Sequence, residues 1–182
     1  SVGLIDVSTL GKIEVRGPEA GAFLDRAYAG SFSDMRIGTS RYGLLLDEGG
    51  IVRDDGVVAR LGEACYYITT TTSGAANVYR ELLLWNTRWR LDCAFINATG
   101  HRAAFNLAGP ASRDVIAQLT DIDVSTAAFP FLHVRTGRVA DVPARVIRAG
   151  FVAALGFEIH VPFSQASRVW DALMQAGAAA AL

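Results

Sequence analysis

Long apolar runs are missing from this sequence. No uncharged stretch approaches the roughly 18–20 residues that a membrane-spanning helix needs. The opening Ser1-Val2-Gly3-Leu4-Ile5-Asp6 has neither the basic start nor the apolar core of a secretion signal. Cysteine is scarce. Cys65 and Cys93 make neither a disulfide framework nor a zinc set, and read as buried small hydrophobes in a reducing, cytoplasmic setting. An excess of one charge is absent as well: 17 basic and 18 acidic residues leave a net charge of −1. That excludes the electrostatic footprint of a nucleic-acid binder and a polybasic membrane patch. The basic residues comprise one lysine, Lys12, and sixteen arginines, a pattern read as coding bias. No Gly-x-Gly-x-x-Gly, phosphate-binding loop or Gly-x-Ser-x-Gly elbow occurs. Gly49-Gly50 is too short for a phosphate cradle and reads as a hairpin turn. His101, His133 and His160 fall at unrelated spacings, so no metal site is expected.

What is present is a globular chain. Apolar residues make up 51 % and charged residues 19 % of 182 residues, enough for one or two cored domains. One unit recurs: an alternating strand, a Pro near the first helical turn, then an amphipathic helix. It occurs at Ile13–Pro18 into Glu19–Tyr28, at Phe105–Pro110 into Ala111–Leu119, and at Glu158–Pro162 into Phe163–Ala176. A fourth helix is expected over Gly74–Trp85. Strands are expected at Val2–Val7, Tyr42–Asp47, Gly56–Leu61, Cys65–Thr70, Arg88–Ile96, Arg102–Leu107, Leu132–Arg135, Arg138–Ala140, Ala144–Arg148 and Phe157–Val161. Turn chemistry at Asp47–Gly50 and at Asp141-Val142-Pro143 separates neighbouring strands, which argues for antiparallel pairing and an α+β class. Composition breaks at 30–39 and 97–100 suggest a discontinuous lobe, 1–27 with 100–182, and an inserted lobe, 28–99, so that the first and third repeats pack together. The chain opens without Met and stops in the Ala-rich Ala176–Leu182, which reads as a segment of a longer polypeptide.

Three places carry possible chemistry. In an extended Asp54-Asp55, one carboxylate points inward and the other stays solvated. The inward one needs a partner, such as Arg53, Arg60 or a bound cation or amine; the bland alternative is an exposed turn pair. Thr69-Thr70-Thr71-Thr72 is either a strand exit leading to a helix cap at Thr72 or Ser73, or a row of hydroxyls for a polar heterocycle. Glu158, flanked by apolar residues, calls for a specific partner: a ligand amide or guanidine-like edge, or an arginine such as Arg148. His160 alternates with Ile159 and Val161 and is expected on an exposed face.

These residues also carry a resemblance. Val2 to Ile13, Arg41-Tyr42 through Gly49-Gly50, Asp54-Asp55, and Arg148 to Ile159 resemble motifs of the glycine cleavage T-protein (aminomethyltransferase) family. Asp6–Lys12, Asp54–Val57, Thr69–Thr72, Gly109-Pro110 and Ala128–Phe131 look most like its branch in the C-terminal region of heterotetrameric sarcosine oxidase α subunits. The resemblance implies two antiparallel-sheet lobes with flanking helices, an α+β, aminomethyltransferase folate-binding-like fold. The family's C-terminal β-barrel domain has no counterpart here. It implies a tetrahydrofolate-binding one-carbon transfer module that forms 5,10-methylenetetrahydrofolate from an amine-derived iminium. FAD, FMN and NAD would belong to other domains or subunits of a flavin amine oxidase. The family's functional carboxylate falls on Asp55. Its folate-binding positions fall on Glu158, Tyr42, Leu10, Thr69, Thr70 and Thr71, and on Phe151 in place of a stacking Tyr. Two departures stand out: Ala153-Ala154 replaces Gly-Glu, and Thr9 replaces a His. Ala153-Ala154 keeps open a non-catalytic binding or assembly domain; a T-protein-type aminomethyltransferase is the other alternative, against which Thr9-Leu10 and Asp55-Gly56, in place of His-Met and Asp-Leu, weigh.

Overall fold

Residues that alternate apolar and polar become strands here, and those with apolar spacings of three and four become helices. The computed structural model describes residues 1–150, 152 and 154–178. In chain order the elements are β1 (Gly3–Asp6), β2 (Gly11–Arg16), α1 (Ala20–Ala27), β3 (Tyr28–Ala29), β4 (Ser40–Leu46), β5 (Val52–Gly62), β6 (Cys65–Thr70), α2 (Ala75–Trp89), β7 (Ala94–Asn97), β8 (Arg102–Ala108), α3 (Ser112–Ala117), β9 (Val134–Val139), β10 (Val142–Ile147), β11 (Gly156–Pro162) and α4 (Ala166–Gly177). Among the described residues all strand pairing is antiparallel, in two sheets.

The chain divides into two units: Ser1–Ser8 with Gly100–Leu182, and Thr9–Thr99. The first holds a five-stranded sheet in the order β1-β8-β11-β10-β9. One face of it packs Phe105, Leu107, Phe157, Ile159 and Val146 against Val115 and Ile116 of α3 and Val169 and Leu173 of α4. The second holds a six-stranded sheet in the order β3-β4-β5-β6-β2-β7. Its apolar face packs Ile13, Val15, Leu45, Val58 and Ile68 against Phe23 and Leu24 of α1 and Val78 and Leu82 of α2.

This division corrects the expected boundary. Residues 9–27 belong with Thr9–Thr99, because β2 pairs with β6 from Gly11↔Thr70 to Arg16↔Cys65. The first repeat therefore falls in a different unit from the third. The second and third pack together, through β8 and β11, paired from Gly156↔Ala108 to Pro162↔Arg102. Pro18 and Pro110 sit one residue ahead of the helix cap rather than inside the first turn, whereas Pro162 caps a 3-10 turn at Phe163–Gln165 that leads into α4. The Gly before each of the first two makes the corner. Gly17 and Gly109 have φ of +139° and +127°, and a Cβ would lie 2.3 Å from Asp92 O and 2.7 Å from Ser1 O.

Other elements shift for local reasons. Arg88–Ile96 is not one strand. Helix α2 continues to Trp89, because Trp85 and Trp89, four residues apart, stack at 5.6 Å and Arg26 sits 4.3 Å over the Trp89 ring. The helix then stops at Arg90 with φ of +55°, leaving only Ala94–Asn97 extended. The two expected strands at 132–135 and 138–140 are one strand, β9. The turn into β10 is Ala140-Asp141, both with positive φ, as a two-residue hairpin of the mirror-image type requires. Among the described residues no helix is long and apolar enough to cross a membrane, and no group of three or more metal-ligating side chains occurs.

Candidate functional site

In the second unit, alternation along β5 separates the paired carboxylates. Leu45↔Asp54 and Leu44↔Asp55 are cross-strand pairs, so Asp54 shares the helix-packed face with Leu45, while Asp55 takes the opposite face. Asp54 is 6 % exposed. Its partner is neither Arg53 nor Arg60. The Thr71 hydroxyl donates to its Oδ1 at 2.5 Å and the Thr71 N–H to its Oδ2 at 3.2 Å. Arg53 reaches Glu81 at 3.6 Å, and Arg60 donates to the carbonyls of Ser33 and Met35. Burial pushes the Asp54 carboxyl above its ordinary value, against the Thr71 hydrogen bonds.

Asp55 is half-buried, and among the described residues no cation pairs with it. The Tyr42 hydroxyl donates to its Oδ2 at 2.5 Å. That bond raises the Tyr42 phenol above its ordinary value, since losing the proton would set two negative groups side by side. Tyr42 is 56 % exposed and lies on the same face, opposite Val57. Thr69 opposes Lys12 on β2, and its Oγ1 accepts from the Val57 N–H at 3.0 Å. The other threonines are committed locally. Thr70 donates to the Thr71 carbonyl at 2.9 Å, and Thr71 accepts from the Gly74 N–H at 3.0 Å. That last bond reaches the N-cap residue of α2, Gly74, and the Thr71 carbonyl accepts from the Ala75 N–H at 3.1 Å; among the described residues no side chain caps the helix, neither Thr72 nor Ser73. The Leu10 carbonyl accepts from Lys12 Nζ at 2.8 Å.

In the first unit, Glu158 stands on β11 between Asn106 of β8 and Ile147 of β10. Its side-chain partner is His160 Nε2, at 3.4 Å. Arg148 does not reach it, and donates Nη1 to the Phe129 carbonyl at 2.7 Å. His160 is 0 % exposed, which corrects its expected exposure. Alternation places it on the face away from Ile159, but that face is not open to water: Asn106, Arg145 and Glu158 are buried there too. Asn106 is the residue that the sequence reading missed. It is 3 % exposed, and among the described residues its Oδ1 has no hydrogen-bond partner. The sequence held one signal for it, a lone amide in the otherwise apolar Ala103–Ala108. Phe151 lies outside the described residues.

Comparison with known proteins gives this arrangement a family. The chain is 40 % identical over 181 residues to the sarcosine oxidase α subunit of Corynebacterium sp. (strain P-1), covering 97 % of this chain and 19 % of that subunit. It is 33 % identical over 180 residues to the aminomethyltransferase of Streptomyces avermitilis, covering 99 % of this chain and 47 % of that protein. The chain thus spans about a fifth of the one relative and half of the other. The glycine cleavage system aminomethyltransferase T of Bartonella henselae superposes with a TM-score of 0.83 at 27 % identity, over 95 % of this chain and 45 % of that one. A chain of the heterotetrameric sarcosine oxidase of Corynebacterium sp. U-96 shares the fold, with a TM-score of 0.74 at 16 % identity over 96 % of this chain and 83 % of that one. A model described as the GCVT N-terminal domain matches residues 1–182, and to that family this chain belongs.

Proposed function

We propose that this chain is the tetrahydrofolate-binding one-carbon transfer module of a sarcosine oxidase-like flavoprotein. It forms 5,10-methylenetetrahydrofolate from an iminium that a flavin generates in another domain or subunit. The observation that carries this reading is the contrast within the carboxylate pair. Asp54 is spent on Thr71, whereas Asp55 is held by one exposed phenol and has no cation among the described residues. A carboxylate held in that way stabilises positive charge that develops beside it, by roughly 3–4 kcal/mol on the scale of a single oxyanion donor with the sign reversed. Tyr42 fixes the carboxylate's orientation through its 2.5 Å bond.

The buried polar residues of the first unit fit a ligand rich in N–H donors. Glu158 offers acceptors, and the Asn106 oxygen lacks a donor. Glu158 would take the amino-pyrimidinone edge of the pterin, a two-point bond that sets orientation as well as affinity. Leu10, Tyr42 and Thr69 would line the ligand; Thr70 and Thr71, with hydroxyls engaged, would do so through their edges. When bound, tetrahydrofolate supplies two nitrogens that take up a one-carbon unit at the oxidation level of formaldehyde. The 40 % identity to the sarcosine oxidase α subunit favours a flavoprotein setting. The superposition on aminomethyltransferase T supports the second reading, a T-protein-type aminomethyltransferase.

Calorimetric titration of tetrahydrofolate tests the reading. Micromolar binding that Glu158→Ala abolishes, with Asp55→Asn keeping binding but losing turnover in the holoenzyme, is the expected result. Equal binding by wild type and Glu158→Ala would remove Glu158 from the site. No binding by the intact enzyme would leave the non-catalytic scaffold.

A further inference from the structure

The sheet of the first unit ends on an open edge. Strand β1 pairs with β8 on one side, and no described strand lies on the other. Antiparallel partners alternate between bonded and non-bonded pairs. The Val7 N–H donates to the Ala104 carbonyl at 2.9 Å, next in register after Asp6↔Phe105. Ile5 and Gly3 therefore bond to β8 as Val7 does, while the N–H and C=O groups of Leu4 and Asp6 point to the open side. Outside the ladder with β8, the backbone of neither residue bonds to a described residue. Ile5, on the sheet face opposite to theirs, is 51 % exposed.

A cleft of about 240 Å³ opens beside that edge, lined by Asp6, Phe105, Ala166, Ser167 and Trp170. It falls below the roughly 300 Å³ at which small-molecule pockets begin, and suits a single long side chain. Register puts Asp6 across from Phe105, on the helix-packed face. The Phe105 ring, 3 % exposed, meets the half-buried Trp170 of α4 edge-on, with centroids 5.4 Å apart. Asp6 Oδ1 accepts from the Ser8 N–H at 2.9 Å, which orients the carboxylate, and no described cation pairs with it. A carboxylate beside an aromatic cleft suits an ammonium or guanidinium whose apolar stem lies on the rings. Ala166 and Ser167 open α4, and the partial positive charge of a helix start is smaller than the full charge on Asp6.

We propose that the β1 edge docks an extended segment of a partner protein that carries a lysine or arginine. The segment pairs strand to strand with Leu4 and Asp6, and its basic side chain sits in the cleft of Asp6 and Trp170. Main-chain bonds to the open N–H and C=O groups supply affinity, while the cleft sets register and selects the side chain. The segment's alternate residues fall on the other sheet face, where exposed Ile5 favours an apolar neighbour. Charge commits the occupant to a different chain rather than a second copy. Gly3–Asp6 holds an acid and no cation, so β1 set against β1 would leave both Asp6 side chains unmatched. Neither Asp55 nor Glu158 takes part, so this edge and the folate reading stand or fall separately.

The test is titration of the intact protein with an end-capped heptapeptide of alternating threonine and valine around a central arginine, read by affinity and by amide hydrogen exchange. One counterpart carries glutamate at the centre; another carries N-methyl groups on the arginine and every second residue from it. The arginine peptide should bind, the glutamate peptide at least tenfold more weakly, and the N-methylated peptide not at all. On binding, exchange of the Leu4 and Asp6 amides should slow severalfold, whereas Ile5 and Val7, already bonded to β8, should not change. Asp6→Asn, at an exposed position, keeps the fold and should erase the preference for arginine; Asp6→Lys should reverse it in favour of glutamate. Equal binding of the arginine and glutamate peptides, binding of neither, or binding that leaves Leu4 and Asp6 exchange unchanged overturns the proposal. Butylguanidinium binding as tightly as the arginine peptide would make the cleft a small-cation site and overturn strand docking. A peptide-free dimer with the same two amides protected would make a second copy the occupant and overturn it as well.

Discussion

Replacing the two neighbouring carboxylates one at a time should give opposite outcomes. Asp54 accepts a hydroxyl at 2.5 Å and a backbone N–H at 3.2 Å, both from Thr71, and is 6 % exposed. Hydrogen bonds to a charged acceptor contribute about 1.5–3 kcal/mol each, but burial outweighs them for the ionised carboxylate, so the loss on removing the side chain comes from the Thr71 donors left behind. Asp54→Ala strands the Thr71 N–H, so a net loss of about 2–3 kcal/mol is expected. For a chain of this length that lowers the melting temperature by roughly 4–12 °C. Asp55 has one bond, to an exposed phenol, so Asp55→Asn should change stability by no more than about 0.5 kcal/mol.

The pH dependence separates charge from contact. Asp54 titrates above its ordinary 3.8 in the fold, so its ionised form is disfavoured there relative to the unfolded chain. As pH falls from neutral through the folded value towards 3.8, the wild type gains stability that Asp54→Asn does not. The gap between the two should therefore widen on acidification. Thermal melts between pH 4 and 7 on the three variants measure it. A loss below about 0.5 kcal/mol in Asp54→Ala, or an equal loss in Asp55→Asn, would refute the division of labour.

Gly56→Ala should destabilise by about 1–3 kcal/mol in urea unfolding, because its Cβ would lie 1.9 Å from the Thr69 carbonyl oxygen and force β5 off β6. Burial pushes Asp25 up, but hydrogen bonds from Ser33 and Phe32 together hold it below 3.8. Its stabilisation is present above pH 3.8 and lost as pH falls through the folded value, so acid titration of Asp25→Asn should lack that loss. Burial pushes the Cys93 thiol up to about 11 from 9.0, so at pH 8 alkylation should run about 100-fold slower in the folded chain than in urea. Asn106→Leu should raise the melting temperature of the ligand-free chain while weakening tetrahydrofolate binding at least tenfold; a residue that only supports the fold would lower both.

Much of this was legible from spacing. Alternation at Gly56–Leu61 and Phe157–Val161 found β5 and β11, and the sequence motifs matched the family that the comparisons show. Three kinds of error remain, each with a physical cause. Local propensity was overridden at Arg88–Ile96, where the four-residue spacing of Trp85 and Trp89 carries the helix further than Arg and Asn suggest. Partner choice was misjudged at Asp54 and Glu158. A carboxylate's need for a partner can be read from its neighbours, but not which partner arrives: for Asp54 it is Thr71 from the end of the next strand, and for Glu158 it is His160 two residues along its own strand, while the fold turns Arg148 to the Phe129 carbonyl.

The His160 error is of another sort. Period-two alternation tells which face of a strand a side chain takes, and here it did so correctly. It cannot tell whether that face is wet. An antiparallel sheet ordinarily packs one face and solvates the other, so a polar set opposite an apolar set reads as exposed. In the first unit the polar set of Asn106, Arg145, Glu158 and His160 is buried instead. Apolar side chains of similar volume would hold such a face at least as well, because desolvating polar and charged groups costs what their mutual bonds only partly return. The Asn106 oxygen, without a partner among the described residues, makes the point at a single atom: a packing role alone gives no reason for an unmet acceptor at a buried position. A donor supplied from outside the fold does give one, and that is the chemistry the ligand edge proposed for Glu158 would bring.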